Sequence, residues 1–175
     1  GNISEASKYY KYFIDQGFND HRVFFNYGLL LKQNGKLKEA EILLRRAIKF
    51  KPDLAEAYMN LGNILNELDK SKEAEELLKK SITIKPDFAD AYYSLGNILK
   101  RSGNLKAAEI SQRKAIKIKP NFSAAYMNLG NILKELGNLK EAELQLRKAI
   151  KINPNFANAY YNLGNVLSDL GKLKE

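Results

Sequence analysis

The sequence predicts an all-α solenoid built from antiparallel helix pairs that repeat along the chain. Three residue types predict it by sharing one period of 34 residues. All four prolines keep this spacing, at Pro52, Pro86, Pro120 and Pro154. Five glycines keep it too, at Gly28, Gly62, Gly96, Gly130 and Gly164. Four alanines follow them, at Ala40, Ala74, Ala108 and Ala142. A fixed period of this length indicates one supersecondary unit copied along the chain, and stacked copies expose an extended concave surface.

The first half of each period reads as an amphipathic helix. In the second full copy, Asp53 is placed to cap a helix that begins at Leu54 or Ala55. Its apolar residues recur with helical spacing, at Ala57, Tyr58, Leu61, Ile64, Leu65 and Leu68. Gly62 lies in the middle of this helix, where it costs about 1 kcal/mol relative to alanine. Its recurrence therefore indicates that a neighbouring helix passes too close for a side chain.

The second half of each period reads as a turn followed by another helix. The turn falls at Asp69, and glycine takes its place in the other copies, at Gly35, Gly103, Gly137 and Gly171. A second helix follows from Glu73 to Ile84, and Pro86 prevents its continuation. The recurring alanine near the start of this helix is small enough to face the glycine of the first helix.

A two-helix unit of 34 residues with these signature positions resembles the tetratricopeptide repeat (TPR) family. The residues that carry the resemblance in one copy are Tyr58, Leu61, Gly62, Leu65, Ala74, Leu78, Ser81 and Pro86. The pattern recurs in register along the whole chain, and the resemblance implies a right-handed superhelical solenoid whose concave groove binds peptides. Three residues depart from it: Asp69 replaces the turn glycine, Gln112 replaces an apolar residue, and Ser81 replaces alanine.

The period divides the chain, as a single solenoid, into four full repeats and two halves. The full repeats are residues 21–54, 55–88, 89–122 and 123–156. Residues 1–20 read as only a second helix, and residues 157–175 as only a first helix and its turn. An unpaired apolar helix face at such an end could associate head to tail with another copy. The alternative is a frayed terminal helix that acts as a cap.

The first helices carry two rows of asparagine, a residue that disfavours helix interiors. Two residues before the glycines stand Asn26, Asn60, Ser94, Asn128 and Asn162. One residue after them stand Leu29, Asn63, Asn97, Asn131 and Asn165. An amide offers a donor and an acceptor together, so these rows predict binding to the backbone of extended peptides. They resemble the asparagine ladder in the repeat array of O-linked N-acetylglucosamine transferases. The alternative is that the amides bond to one another and hold the repeats in register.

Two further rows border the asparagines. Three residues before the glycines stand Phe25, Met59, Tyr93, Met127 and Tyr161. These large groups predict contacts with apolar side chains of a ligand, and the alternative is partial burial against the next helix. Four residues after the glycines stand Lys32, Lys100 and Lys134. Their positive charge favours acidic peptides.

The remaining basic charge is expected on the second helices and is not assigned a ligand. The chain carries a net charge of +9, and four dibasic pairs account for much of it: Arg45-Arg46, Lys79-Lys80, Arg113-Lys114 and Arg147-Lys148. The first member of each pair has a glutamate four residues earlier, which neutralises it. The second members are expected to remain mainly unpaired and to form a basic stripe. Without interleaved aromatics or a known reader motif, this stripe disfavours nucleic-acid binding.

The sequence offers no catalytic, cofactor-binding or metal-binding constellation. It has no cysteine, and its single histidine, His21, reads as a surface side chain at a helix start. No apolar run is long enough to span a membrane, and residues 1–17 lack the pattern of a signal peptide. We therefore expect a cytoplasmic, non-enzymatic scaffold that binds protein or peptide segments. The alternatives are the substrate-recruiting TPR arm of a larger transferase and a self-assembling TPR platform.

Overall fold

The structure is a computed structural model that describes residues 3–171, and ten α-helices make up its regular structure there. The helices are α1 (Ile3–Asp15), α2 (His21–Gln33), α3 (Leu37–Phe50), α4 (Ala55–Glu67), α5 (Ser71–Ile84), α6 (Ala89–Arg101), α7 (Leu105–Ile118), α8 (Ser123–Glu135), α9 (Leu139–Ile152) and α10 (Ala157–Asp169). No β-strand occurs in the described residues. The predicted end segments extend to residues 1–2 and 172–175, which lie outside the described range.

The helices form two compact units, Gly1–Pro86 and Asp87–Glu175. Within each unit, every helix packs against the next one along the chain, so α2 pairs with α3, α4 with α5, α6 with α7, and α8 with α9. First helices of successive repeats also contact each other: α2 meets α4, and α8 meets both α6 and α10. This arrangement confirms the predicted all-α repeat solenoid.

Each unit has an apolar core supplied by both helices of its repeats. Fully buried side chains of the first unit are Phe24, Leu44, Leu61, Ile64, Leu65 and Leu78. The second unit contains a buried cluster of Leu129, Leu133, Ala142, Leu146, Leu163, Val166 and Leu167. These residues recur with helical spacing, which explains why the pattern predicts the buried faces correctly.

The turn between the two helices of a repeat has the left-handed conformation that the glycines predicted. Gly103 and Gly137 both have φ of +79°, and Asp69 has φ of +60°. Around Asp69, the backbone N–H of Lys70 donates to the carbonyl of Leu65 at 2.8 Å. The N–H of Asp69 also donates to the carbonyl of Asn66, at 3.2 Å. This pair of bonds closes the helix end in a Schellman motif.

The helix starts differ from the expectation at one position. Asp53 does not cap α4: the residue before the helix is Leu54, and its side chain makes no capping hydrogen bond. The prediction was wrong because Asp53 precedes the first helical carbonyl acceptor by one residue. A side-chain cap does occur at α2, where Asp20 accepts from the backbone N–H of Arg22 at 2.7 Å. His21 Nδ1 lies 3.7 Å from Asp20 Oδ1, on the protein surface.

Four of the five mid-helix glycines, all except Gly164, face their partner helix at the short distances that the sequence predicts. A Cβ added at Gly62 would lie 3.0 Å from Leu78 Cγ and 3.1 Å from the carbonyl oxygen of Ala74. A Cβ at Gly130 would lie only 2.6 Å from Leu146 Cγ. These contacts bring the first and second helices of a repeat together.

Candidate functional site

The asparagines lie on the face of each first helix that borders this contact, and we call it the asparagine face of each unit. It comprises the residues three before, two before and one after each mid-helix glycine, which neighbour one another at helical spacing. Asn26 is exposed, and the other seven asparagines are half-buried. None of them belongs to the apolar core. The predicted residues of each first helix therefore share one solvent-facing surface.

Within the second unit, the asparagine face passes from one first helix to the next without a break. Asn128 Nδ2 on α8 donates to Asn97 Oδ1 on α6 at 2.6 Å. In the first unit, the corresponding helices are joined by Lys32 on α2 and Glu67 on α4, whose Nζ and Oε1 atoms lie 3.8 Å apart. A ligand lying across a unit can therefore contact amides of more than one repeat.

Three of the eight asparagines use their amides inside the protein. Asn60 Nδ2 donates to the backbone carbonyl of Glu56, one turn earlier in the same helix, at 2.8 Å. Asn97 and Asn128 bond to each other, as described above. The alternative of a structural role thus describes the Asn97–Asn128 pair. It does not describe Asn60, because a bond within one helix does not join two repeats.

The other five asparagine side chains make no hydrogen bond to the part of the protein that the structure describes. They are Asn26, Asn63, Asn131, Asn162 and Asn165. None of their amide atoms is buried without a partner, so these groups remain open to solvent. Each asparagine costs its helix up to about 0.7 kcal/mol relative to alanine. No hydrogen bond within the described residues offsets that cost at these five positions.

The large side chains beside the asparagines are mostly packed. Phe25, Met59, Tyr93 and Met127 are half-buried. The Tyr93 ring lies 4.9 Å from the Phe122 ring, centroid to centroid, and Met127 packs against the buried cluster of the second unit. Tyr161 differs, since 71% of it is exposed. Partial burial therefore describes four members of this row, and Tyr161 offers a free aromatic surface.

The lysines that border the asparagine face are neutralised by carboxylates. Lys100 on α6 pairs with Glu135 on α8 at 2.9 Å, and Lys134 on α8 pairs with Asp169 on α10 at 3.2 Å. Lys32 pairs with Glu67 in the same manner. Each acid follows its lysine by 35 residues, on the next first helix. The pairs lower the positive charge that the sequence assigns to the face, so the preference for acidic peptides stays a prediction.

Gln112 is a residue of this site whose role the sequence reading missed. It occupies the position that Leu44, Leu78 and Leu146 hold in the other repeats, and it is completely buried. Its Nε2 donates to the backbone carbonyl of Tyr93 at 3.2 Å and to Asn97 Oδ1 at 3.0 Å. Its Oε1 is buried and has no hydrogen-bond partner. The only signal in the sequence was the departure from an apolar residue.

The dibasic pairs of the second helices make more contacts with other side chains than the sequence predicts. Their first members form ion pairs: Arg45 contacts Glu41 at 2.8 Å and also Glu73, on α5, at 2.6 Å. Burial alone would lower the pKa of Arg45, but the hydrogen bonds that it donates to Glu73 and Glu41 outweigh burial and raise the pKa. Arg113 bridges Glu109 and Glu141 in the same way in the second unit.

The second members of three of these pairs lie over aromatic rings. The Arg46 guanidinium lies 4.2 Å from the ring centroid of Phe24. Lys114 lies over Tyr92 and Lys148 over Tyr126, each at 5.9 Å. The prediction that this basic stripe lacks aromatic neighbours was therefore wrong for these three residues. The signature aromatic of the first helix reaches under the second helix, which the linear sequence does not reveal.

Neither metal ligation nor membrane insertion is apparent in the described residues. Between residues 3 and 171, no group of three or more His, Cys, Asp or Glu side chains is arranged to hold a metal ion. No described helix combines the length and the apolar character needed to cross a bilayer.

Comparison with protein families identifies the repeat. The chain matches the family described as TPR repeat over residues 28–69, 62–103 and 130–171. It matches two further families, both described as tetratricopeptide repeat, over residues 89–122 and 112–144. These matches cover most of the chain, so it belongs to the tetratricopeptide repeat family. No curated protein matches the sequence. The architecture is that of a protein-interaction scaffold.

Solved structures of TPR proteins share this fold. MamA is 26% identical, with 83% of this chain and 85% of MamA covered and a TM-score of 0.76. YrrB, described as a TPR protein with an unusual peptide-binding site, is 24% identical over 94% of this chain and 85% of its own, with a TM-score of 0.76. MamA from Desulfovibrio magneticus RS-1, from residue 41 to its end, is 22% identical, with coverages of 90% and 89% and a TM-score of 0.79.

Proposed function

We propose that this chain is a non-enzymatic scaffold that binds extended peptide segments along the asparagine face. The observation that carries the proposal is the set of five helix-interior asparagines whose amides have no partner in the described protein. A row of residues that weakens its own helices and stays open to solvent is accounted for by an external partner. YrrB shows that the same fold carries a peptide-binding site in another protein.

The chemistry of the face suits a backbone ligand. A primary amide donates two hydrogen bonds and accepts two, so it can pair with both the N–H and the C=O groups of an extended chain. Such pairing is independent of the ligand's side chains. Tyr161 adds an exposed aromatic surface beside Asn162, on which an apolar side chain of the peptide can lie.

A triple variant tests the proposal. Asn131→Ala, Asn162→Ala and Asn165→Ala remove three amides of the second unit that support nothing inside it, so the variant should be at least as helical as the wild type. Peptides selected from a random twelve-residue display library on the wild-type protein serve as ligands, and fluorescence anisotropy measures their affinity. We expect a loss of at least about tenfold, since each lost hydrogen bond contributes about 0.5–1.5 kcal/mol.

The control replaces two asparagines that lie off the face. Asn121→Ala and Asn138→Ala change two exposed loop residues, and the Asn138 side chain makes no capping bond. We expect this double variant to bind the selected peptides as the wild type does. Equal affinity of the triple variant and the wild type would contradict the proposal, as would a selection that recovers no binding peptide.

A further inference from the structure

The buried Gln112 side chain fixes the orientation of the Asn97 and Asn128 amides on the asparagine face. The backbone carbonyl of Tyr93 can only accept a hydrogen bond, so the Gln112 atom that faces it must be the donor Nε2. The same Nε2 contacts the Asn97 side chain, so the Asn97 atom there must be the acceptor Oδ1. Asn128 meets this oxygen and must do so with its donor Nδ2. One backbone carbonyl thereby fixes the orientation of three amides in succession.

This chain of bonds leaves one donor and one acceptor on the surface. Asn97 Nδ2 and Asn128 Oδ1 make no hydrogen bond within the described residues, and neither atom is buried. The donor belongs to α6 and the acceptor to α8, and a bond of 2.6 Å joins the two amides. In an extended peptide, the N–H and C=O of one residue point to the same side. A fixed donor beside a fixed acceptor matches that pair of groups.

We propose that Gln112 is a positioning residue that sets the direction in which a peptide binds to the second unit. In this arrangement Asn97 donates to the C=O of one ligand residue, and Asn128 accepts from the N–H of that same residue. Because the N–H precedes the C=O along a chain, the ligand's N-terminal side lies toward α8 and α10, and its C-terminal side lies toward α6. The inference rests on the proposed function, since it specifies how the asparagine face forms hydrogen bonds with the backbone of the ligand.

The other repeats lack this device. Leucine stands at the position of Gln112 in each of them, so no buried donor reaches the asparagine that follows the glycine. Asn131 accordingly has no hydrogen bond within the described protein, and its amide can turn either way. Gln112→Leu therefore reproduces a residue that the fold already accepts, and it removes the two hydrogen bonds to Tyr93 and Asn97.

The first experiment uses the free protein and needs no ligand. Nuclear magnetic resonance measures the exchange of side-chain amide protons with water. In the wild type we expect the Asn128 amide to exchange more slowly than that of Asn162, which has no partner in the described structure. In Gln112→Leu the difference should disappear, because Asn97 is free to turn. Retention of slow exchange in this variant would overturn the assignment of Gln112 as the orienting group.

The second experiment measures direction. The probe is a capped hexapeptide of alternating threonine and alanine with a nitroxide label at either its N-terminal or its C-terminal end. An N-terminal label should broaden the side-chain amide signals of Asn162 and Asn165 on α10, and a C-terminal label should not. Gln112→Leu should equalise the two patterns. Equal broadening by both labels in the wild type, or the reverse pattern, would overturn the inferred direction.

One further variant, compared with the triple alanine variant, separates this inference from the proposed function. Asn97→Asp keeps the inward acceptor and replaces only the outward donor, so it should weaken the hexapeptide at least about fivefold while the fold is retained. If the wild type binds, the triple alanine variant binds less, and Asn97→Asp binds equally well, only the inference about Gln112 fails. If the wild type does not bind the hexapeptide, both proposals fail.

Discussion

Asp69 is a single residue that departs from the repeat pattern at the turn between two helices. It adopts φ of +60° where the equivalent turns have glycine, and a left-handed conformation costs about 1–2 kcal/mol for a residue with a Cβ. Asp69→Gly should remove that cost. Part of the gain is lost because glycine has more conformational entropy in the unfolded chain. We expect the free energy of unfolding to rise by about 0.5–1 kcal/mol, as measured by urea denaturation at pH 7.

Gly137→Asp is the matched control, because it makes the opposite change in an equivalent turn with φ of +79°. It should lower the free energy of unfolding by a similar amount. A loss of stability in Asp69→Gly would show instead that the aspartate side chain supports its turn.

The mid-helix glycines make a second prediction at this scale. A methyl group at Gly130 would lie 2.6 Å from Leu146 Cγ, so Gly130→Ala should destabilise the protein by about 1–3 kcal/mol. Gly164 has no atom within 4 Å of the equivalent position, so Gly164→Ala should stabilise it by up to about 1 kcal/mol through helix propensity. Chemical denaturation of both variants measures the difference. A change of the same sign in the free energy of unfolding of both variants would show that the close approach of the neighbouring helix is not what requires glycine at position 130.

At the scale of helices, the buried amide of Gln112 on α7 reduces the stability of its repeat. Its Oε1 is buried without a partner, which costs about 1–3 kcal/mol, whereas leucine at that position packs without such a cost. Gln112→Leu should therefore raise the free energy of unfolding by about 1 kcal/mol while it weakens ligand orientation. Differential scanning calorimetry measures the gain. Leu78→Gln, the reverse change in the first unit, should be clearly destabilising, and a loss in Gln112→Leu would mean that the bonds to Tyr93 and Asn97 dominate.

The helices and turns could be predicted because they depend on local patterns. The spacing of Leu61, Ile64 and Leu65 fixes a buried face, and the residue at position 69 fixes a turn. Side-chain partners across helices could not be predicted, because they depend on which rotamers meet in space. The link from Gln112 to Asn97 spans 15 residues, and neither residue type alone indicates it.

The candidate site was predictable as a row of residues but not as a set of individual roles. Asn60 and Asn162 occupy equivalent positions in the sequence, yet Asn60 bonds to its own helix and Asn162 has no partner in the described residues. The pairing of Lys100 with Glu135 also changes the charge of the face. Head-to-tail association of the chain stays a prediction, and sedimentation over a range of protein concentrations tests it.

At the scale of the whole molecule, basic residues dominate, so acid should destabilise the fold. The hydrogen bond from Arg22 lowers the pKa of Asp20 from 3.8 to about 2. Burial alone would raise the pKa values of Glu41 and Glu56, but their hydrogen bonds outweigh it and lower both from 4.5. A carboxylate with a lowered pKa contributes stability above its unfolded pKa and loses it as the pH falls through the folded value.

We therefore expect the free energy of unfolding to fall between about pH 5 and pH 2. Protonation of the 20 acidic residues also leaves 29 Lys and Arg residues uncompensated, which adds repulsion. Urea denaturation at pH 7, 5 and 3 measures the decline. Arg45→Met should flatten the profile, because Glu41 loses a partner. A profile equally steep in this variant would show that the Arg45–Glu41 pair does not contribute to the pH dependence.

The lysine–carboxylate pairs between successive first helices have a consequence for how such a chain can grow. Lys100 pairs with Glu135 and Lys134 pairs with Asp169, each with the same offset of 35 residues. If residues 89–122 were duplicated in place, Lys100 of the second copy would still pair with Glu135. Lys100 of the first copy would instead face Arg101 of the second copy, and the two positive charges would repel each other. If residues 123–156 were duplicated in place, Lys134 of the first copy would pair with Glu135 of the second copy. Lys134 of the second copy would pair with Asp169, so each lysine would have an acidic partner. Gene duplication can therefore lengthen this array from the latter repeat without a compensating mutation.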